Sequence, residues 1–585
     1  MWRRTFLGSG AAGLISCASS RGEYFGSTAV PSQRHLVHTL GGEPDTLDPA
    51  KSAGGMEFWV IPALFEGLTQ YHPRRPEPMA ALATHLAVSP DQARFTFYLR
   101  GHPDPRGVRL PDADNLPLEF TRGLQASPAE IPACWSDGRP ITAHDFVYSW
   151  RRFLDPATAA PLAYQLFYVA NAEDVYLAKR HPRELGVRAL DDFTFQVQLR
   201  SPAPFFLQLI TQYIFSAVPR QAIAAARQRG NEDSWTEPQH MIVSGAFRLR
   251  RWKRYEGITA VRNPRYYDAK MVGLHVLTFL PVVDSTTTIS LYRSGAAAAM
   301  PGSGFPPLFT PLLARKKDFH TEPAFGTVSP AINIRRPPFD QVLLRYALNM
   351  GTEKKPVIDV LGAGRVPASS LVPPIPGYTV PRTLPVTLDG RGYDVLAFDI
   401  EGARALLAKS GFDAVAGPGR RNLQLTLHLP ILPEAKLMGE ILQQQWRGNL
   451  GATVSLAIRE FSFHWKMVLD GDFTGVAAYA FLPTYFDPNP YLDPFVTAGA
   501  GNPTGWTHPD YTASLADANR TLDPPRRMAK LARCEERLLL AMPVLPLYYD
   551  TWAYLQKPFV RGLTSNLFDI RQFKYVWIDT NWRPQ

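Results

Sequence analysis

Three observations predict a mixed α/β chain of several domains. The 585 residues are ample for a core, and about 150 residues per domain suggests roughly four domains. Strand-like alternation and helical periodicity are interspersed from end to end. No unit of about 20 to 50 residues recurs, which argues against solenoids and propellers.

The elements follow in order. Leu36 to Leu40 reads as a strand, and Gly41 to Pro49 as a turn-rich loop; Ala63 to Thr69 reads as a short helix end. Ala93 to Arg100 alternates, with Phe95, Phe97 and Leu99 on one face, so it predicts a strand. Gly101 to Pro132 is rich in Pro, Gly and Asp and reads as a long surface loop or insertion. Thr142 is placed to cap a helix over DFVYSWRRFL, with Asp145 three residues on completing a capping box. Phe193 to Leu199 alternates as a strand, and Gly245 to Trp252 with Gly257 to Arg262 form a hairpin. A helix is expected from Ile400 to Lys409, closed by Gly411 in left-handed geometry. Met542 to Tyr549 reads as a strand that Pro546 confines to a sheet edge.

Composition narrows the class. Apolar residues make up 45% and charged residues 19%, a globular profile. The mean hydropathy of −0.15, with no long apolar run past the N-terminus, excludes a polytopic membrane protein. The 54 prolines are about 9% of the chain, against about 5% on average, and imply many loops and short strands. The net charge of +10 comes from 62 basic and 52 acidic residues in short scattered clusters without a nucleic-acid-binding module. No nucleic-acid partner is expected, while attraction to an anionic membrane is compatible with the balance. Cys17, Cys134 and Cys534 form no CxxC, and the last two read as unpaired, buried thiols.

The first residues, MWRRTFLGSGAAGLISCASS, read as an address. Arg3 and Arg4 precede a short apolar stretch from Phe6 to Ile15. Leu14-Ile15-Ser16-Cys17 resembles a bacterial lipobox, which makes Cys17 the lipid anchor and residues 1–16 a signal peptide. Arg3 to Leu7 also resembles the twin-arginine motif, except that Trp2 stands where Ser or Thr is usual. Catalytic signatures are missing: there is no HExxH, P-loop, GxGxxG or GxSxG, and Gly302-Ser303-Gly304 is a near miss only. His35 and His38 fall on opposite faces of a strand and read as surface histidines. The acid pairs Asp191-Asp192 and Glu535-Glu536 read as surface or capping residues. No enzyme, metal or other cofactor is expected.

Several segments in consistent order resemble one family, the extracellular solute-binding proteins of family 5, and within it the oligopeptide-binding proteins of ABC importers. Glu43 to Pro49 is similar to EPxxLDP, Leu64 to Leu68 to LFEGL, and Phe95 to Arg100 to TFxLR. Trp135 to Gly138 with Thr142 to Val147 is similar to WSDGxPxTAxDFV. Ser244 to Phe247 resembles NGxY, and Arg262 to Tyr267 resembles RNPxYW. Arg336 to Asp340 resembles KPPFDD, Ala403 to Phe412 AKxLLAEAGY, and Lys557 to Gly562 KPxVxG. The resemblance implies a two-lobed periplasmic binding protein fold of the class with an extra inserted domain, with mixed sheets and hinge crossovers. It places a leader at 1–16, a linker at 17–31, lobe I at 32–64, 190–283 and 543–585, the extra domain at 65–189, and lobe II at 284–542.

It also implies a function: capture of peptides or peptide-like ligands between the lobes of a monomer in the periplasm or at the cell surface, for delivery to an ABC permease and ATPase complex. Main-chain pairing would hold the peptide whatever its side chains. The cleft segment GWCADY of relatives matches Ala480, Phe481, Leu482, Pro483, Thr484 and Tyr485, followed by Phe486 and Asp487. Thr484 stands where the Asp that binds the peptide ammonium is expected, which implies weak preference for a free N-terminal amine. Ala480, Phe481, Leu482, Thr484, Tyr485, Asp487 and Gly55 are the candidate ligand residues, with Asp487 read more readily as a turn or helix cap before Pro488 and Gly55 more readily as an ordinary loop glycine. Tyr292 to Ala298 departs from YRSGEID by lacking its acids. A secreted hydrolase, and a non-transporting envelope chaperone or sensor on the same fold, stay open as alternatives.

Overall fold

The computed structural model describes residues 23–584, apart from 54, 302–304, 306–308, 416–418 and 500. The leader with Cys17, and Gly302-Ser303-Gly304, lie outside the described residues.

A nine-stranded mixed sheet forms the backbone of the molecule. Its strands lie in the order Ala480–Phe481, Phe319–Val328, Tyr548–Gln556, Ala299–Pro301, His35–Leu40, Val276–Pro281, Gly257–Arg262 and Phe247–Lys253. Val366–Pro367 adds a ninth by pairing with Tyr548 and Tyr549. His35–Leu40 runs parallel to Val276–Pro281 over six residues, and the expected hairpin Phe247–Lys253/Gly257–Arg262 is antiparallel. A five-stranded antiparallel sheet contains Val108–Arg109, Ala83–Val88, Arg94–Leu99, Thr194–Gln198 and Val187–Asp191. Its strands Val187–Asp191 and Thr194–Gln198 are neighbours, so the sheet spans the boundary drawn at residues 189 and 190. A third sheet pairs Gln424–Pro430 in parallel with Thr453–Arg459 across the helix Pro433–Leu450, and adds Val476–Ala477 and Ala331–Ile332.

Alternation explains the five-stranded sheet: Phe95, Phe97 and Leu99 are buried, and Phe95 and Phe97 turn inward with Phe195, Phe206 and Trp150. The helix Ala143–Phe153 packs here, and Thr142 and Asp145 form the capping box. One large core joins this sheet to the His35–Leu40 side of the nine-stranded sheet, while two others surround the four-stranded sheet and the helices Pro509–Arg520 and Pro524–Ala541. The helix Ile400–Lys409 appears as expected, with Gly411 at φ 82°. Among the described residues no helix is long and apolar enough to cross a membrane.

Five expectations are corrected. The stretch from Met542 to Tyr549 is not an edge strand. Met542 ends the helix Pro524–Ala541 in left-handed geometry, and the strand begins only at Tyr548. It then runs inside the sheet, between Phe319–Val328 and Ala299–Pro301. Pro546 precedes the ladder, so its missing N–H removes no pairing. The stretch Ala63 to Thr69, read as a short helix end, is helical only at Ala63 and Leu64, and Thr69 already opens a strand. Gly101 to Pro132 is only partly a loop: Val108–Arg109 joins the five-stranded sheet and Phe120 is buried against Met79, Met271 and Tyr575. His38 is not a surface residue but fully buried, with its ring Nε2 3.2 Å from Arg571. Glu535 is fully buried as well, whereas Glu536 is exposed. Cys534 is buried and Cys134 partly so, and both are free.

Candidate ligand-binding site

The segment that sequence reasoning singled out lies at the end of the nine-stranded sheet. Ala480 and Phe481 pair with Val328 and Thr327 as its last strand, so their outer backbone edge has no neighbouring strand within the sheet. Such an edge is a template for an added strand. Gly326 lies beside the segment: a Cβ there would come 2.5 Å from Leu482 Cδ2, the movable end of an exposed side chain, and 3.4 Å from the Phe481 carbonyl oxygen, an ordinary contact. Leu482 and Thr484 are exposed, while Phe481 and Tyr485 are buried. Phe481 meets Tyr479 edge-on at 4.7 Å, and Tyr479 stacks on Trp465 at 5.1 Å, so one wall is aromatic.

The continuation of the segment is pinned from below. Tyr485 stacks on Phe205 with ring centres 5.4 Å apart and planes inclined by 19°. Both oxygens of Asp487 accept from Arg527, at 2.6 and 2.8 Å, and Oδ1 also accepts from the Asn489 N–H. Asp487 is therefore a turn residue before Pro488 and an ion-pair partner, with its carboxylate already paired inside the protein. Burial alone would lower the Arg527 pKa, and the bonded Asp487 carboxylate reverses this to a raised one. Asn489 Nδ2 donates to Tyr168 and Tyr485 hydroxyls at 3.2 Å, and Asn519 donates to Asn489 Oδ1. Tyr71 donates to the carbonyls of Gln208 and Thr484 at 3.3 and 3.4 Å. Tyr71, Tyr168 and Phe205 thus bind the segment to residues from the other end of the chain.

Gly55 is exposed, one residue after an undescribed position and two before Glu57. Sequence reasoning missed Glu57. Its Oε1 accepts from the Asp45 N–H at 2.6 Å, while Oε2 is buried with no hydrogen-bond partner among the described residues. Burial pushes the Glu57 carboxyl up, against the pull of backbone hydrogen bonds. A Cβ on Gly55 would lie 2.7 Å from that Oε2. Asp493, also missed, is pushed up to about 6 by burial, with Arg200 opposing. Neither signal was readable, because isolated acids carry no spacing. Among the described residues no group of three or more His, Cys, Asp or Glu could hold a metal ion.

Several family-like motifs serve the scaffold around this site. Asp48 of EPDTLDP forms a buried bidentate pair with Arg152 at 2.6 and 3.1 Å. Glu66 of LFEGL accepts from Lys574 and from Tyr266 and Tyr267 of RNPRYY. Asn263 of the same motif donates to the Gly245 carbonyl, and Arg265 to that of Asp137.

The mixed sheets and separate cores describe a two-domain periplasmic binding protein, as the structural neighbours do. The murein tripeptide binding protein MppA of Escherichia coli superposes with a TM-score of 0.76 at 27% identity, covering 94% of this chain and 99% of that one. The chain belongs to the bacterial extracellular solute-binding proteins, family 5, whose middle-region model matches residues 133–503. The periplasmic oligopeptide-binding protein OppA of Salmonella typhimurium is 29% identical over 573 residues, 95% of each chain. The Haemophilus influenzae OppA complex with RPPGFSPFR gives a TM-score of 0.75 at 26% identity, covering 94% of this chain and all of that one.

Proposed function

We propose that this protein captures peptides or peptide-like ligands at the open edge of Ala480–Phe481 and delivers them to an ABC permease and ATPase complex. The observation that carries this reading is the unpaired backbone edge flanked by exposed Leu482 and Thr484. A peptide laid along it gains main-chain hydrogen bonds that do not depend on its sequence. Relatives named as oligopeptide- and murein-tripeptide-binding proteins support the ligand class. The two lobes drawn above would close over the ligand, joined by the long strands Phe319–Val328 and Tyr548–Gln556. Closure is favoured only so far as ligand contacts exist in the closed state alone.

Residues 1–16 serve as the export leader and Cys17 as the lipid anchor in this reading, which places the protein in the periplasm or at the cell surface as a monomer. Acyl chains on Cys17 would each contribute about 0.8 kcal/mol per buried methylene, enough in combination to tether the domain. Isothermal calorimetry with a library of two- to nine-residue peptides tests the binding claim: saturable heat with a subset is expected, and none with any peptide overturns it. Cell fractionation of Cys17→Ser tests the anchor, with most of the protein expected to leave the membrane fraction.

A further inference from the structure

Ligand capture at the open edge of Ala480–Phe481 leaves one groove with basic walls unused. A groove of about 630 Å³ lies where the described chain begins, walled by Tyr24, Lys317, Lys557, Arg561, Trp582 and Arg583 together with Asp318 and Asp579. Both carboxylates are engaged, and of the four cations Lys557 is buried and Arg561 is paired, which leaves Lys317 and Arg583 as the available charges. Asp318 is buried and accepts from the Phe25 N–H and the Tyr292 hydroxyl. Asp579 faces Arg561 at 3.6 Å. Lys557 is fully buried, donating to the Phe25 carbonyl with its ammonium 3.7 Å from the centre of the Tyr292 ring. Lys317 and Arg583 are exposed and have no ion pair among the described residues. Glu23, whose carbonyl accepts from the Lys317 N–H, adds one further acid beside the groove.

We propose that this basic groove docks the protein on an anionic phospholipid surface. Three features converge on that occupant. The cations match lipid phosphates, and each basic residue near such a surface adds to the attraction. Tyr24 and Trp582, packed edge to face at 5.6 Å, bring the amphipathic rings that favour the headgroup level. Glu23 is only six positions on from Cys17, at most about 20 Å of extended chain. Electrostatic attraction fades within about 10 Å at moderate salt, so a groove acts on a membrane only if something holds it close. The inference rests on the leader and anchor reading above; the tether holds the groove in range and the groove fixes which face meets the bilayer.

The test uses full-length Cys17→Ser, which carries no acyl chain, in co-sedimentation with phosphatidylcholine vesicles with and without phosphatidylglycerol. The leader is common to all variants and is measured on the neutral vesicles. Phosphatidylglycerol is expected to raise the bound fraction, and high salt to abolish that increment. K317E/R583E is expected to lower the phosphatidylglycerol-dependent partition at least tenfold, with K317Q/R583Q intermediate. R391E/R447E, the same charge change on exposed residues elsewhere, should alter it less than twofold. Thermal unfolding and peptide calorimetry on each variant establish that the fold is kept. Equal losses in the two reversal variants, equal binding to neutral vesicles, or no vesicle binding overturns the proposal. Vesicle binding without any peptide binding instead leaves the groove standing and removes the ligand reading, while a failed anchor shows in fractionation alone.

Discussion

Arg527→Met should be among the most damaging single substitutions near the site. The Arg527 and Asp487 side chains are 3% and 6% exposed and joined by two short hydrogen bonds. Removing the guanidinium leaves a carboxylate without its counter-ion beneath the Phe205–Tyr485 stack, and the loss of one partner of a buried pair costs about 3–5 kcal/mol. The Asn489 N–H still donates to Asp487 Oδ1, so the lower part of that range is expected. The assay is urea unfolding with R527M, D487N and the double variant, read at constant slope so that the midpoint reports stability. D487N should cost less than R527M, because Arg527 keeps the Phe205 ring at 5.4 Å and a long contact to Asn519. The double variant should be less unstable than the sum of the singles by at least about 2 kcal/mol, the coupling of residues in one network. Ligand affinity should fall with stability, since Tyr485 and Asn489 orient the segment that carries Leu482 and Thr484. R527M costing under about 1 kcal/mol, or strict additivity of the pair, would refute the reasoning.

Further outcomes follow from other parts of the structure. Glu535 is fully buried and pushed up to about 7 from 4.5 by burial, although Tyr378 and backbone N–H groups bond it. Folding then takes up a proton between those values, so stability falls as pH rises from about 4.5 to about 7 and is level above. The full loss is about 3 kcal/mol as an upper bound, and E535Q should flatten the curve in thermal scans from pH 4 to 8. Thr484→Asp should strengthen binding of free-amine peptides about tenfold by supplying an opposite charge, and leave N-acetylated peptides unchanged in calorimetry. Tight binding by the parent that is lost on N-acetylation would contradict the role given to Thr484. Gly245→Ala should lower the unfolding midpoint sharply, because its Cβ would meet the Leu64 carbonyl group at 2.6 and 2.8 Å and the Ala63 carbonyl oxygen at 2.9 Å, where no side chain can yield.

What the sequence made legible was local. Period-two alternation found Arg94–Leu99 and Thr194–Gln198, because one face of each strand is buried. The Thr142–Asp145 box and Gly411 located helix ends through hydrogen bonds made within four residues. The errors share the opposite property. Pro546 forbids a ladder position only if the ladder includes it, and where the strand begins is decided by partners remote in sequence, Thr327 and Val328 on one side and Val366 and Pro367 on the other. His38 and Glu535 looked like surface groups because their partners Arg571, Val372 and Tyr378 are remote in sequence. At the site, the resemblance pointed to the segment 480–487, but the Arg527 that neutralises Asp487 could not be read from the segment itself.

The residues that carry the family resemblance and those that could meet a ligand are largely different sets. Asp48, Glu66, Asn263, Arg265 and Tyr266 sit in the recognisable motifs, and each is joined to protein groups from a distant motif or helix. An uncompensated buried charge at Asp48 or Glu66 would be costly, so such motifs constrain the scaffold whatever is bound. The side chains of Leu482 and Thr484 are exposed and lie outside those networks, whereas a side chain on Gly55 would press on the buried Glu57 Oε2 at 2.7 Å. A chain can therefore keep the scaffold of peptide-binding relatives while its ligand preference shifts at a few open positions.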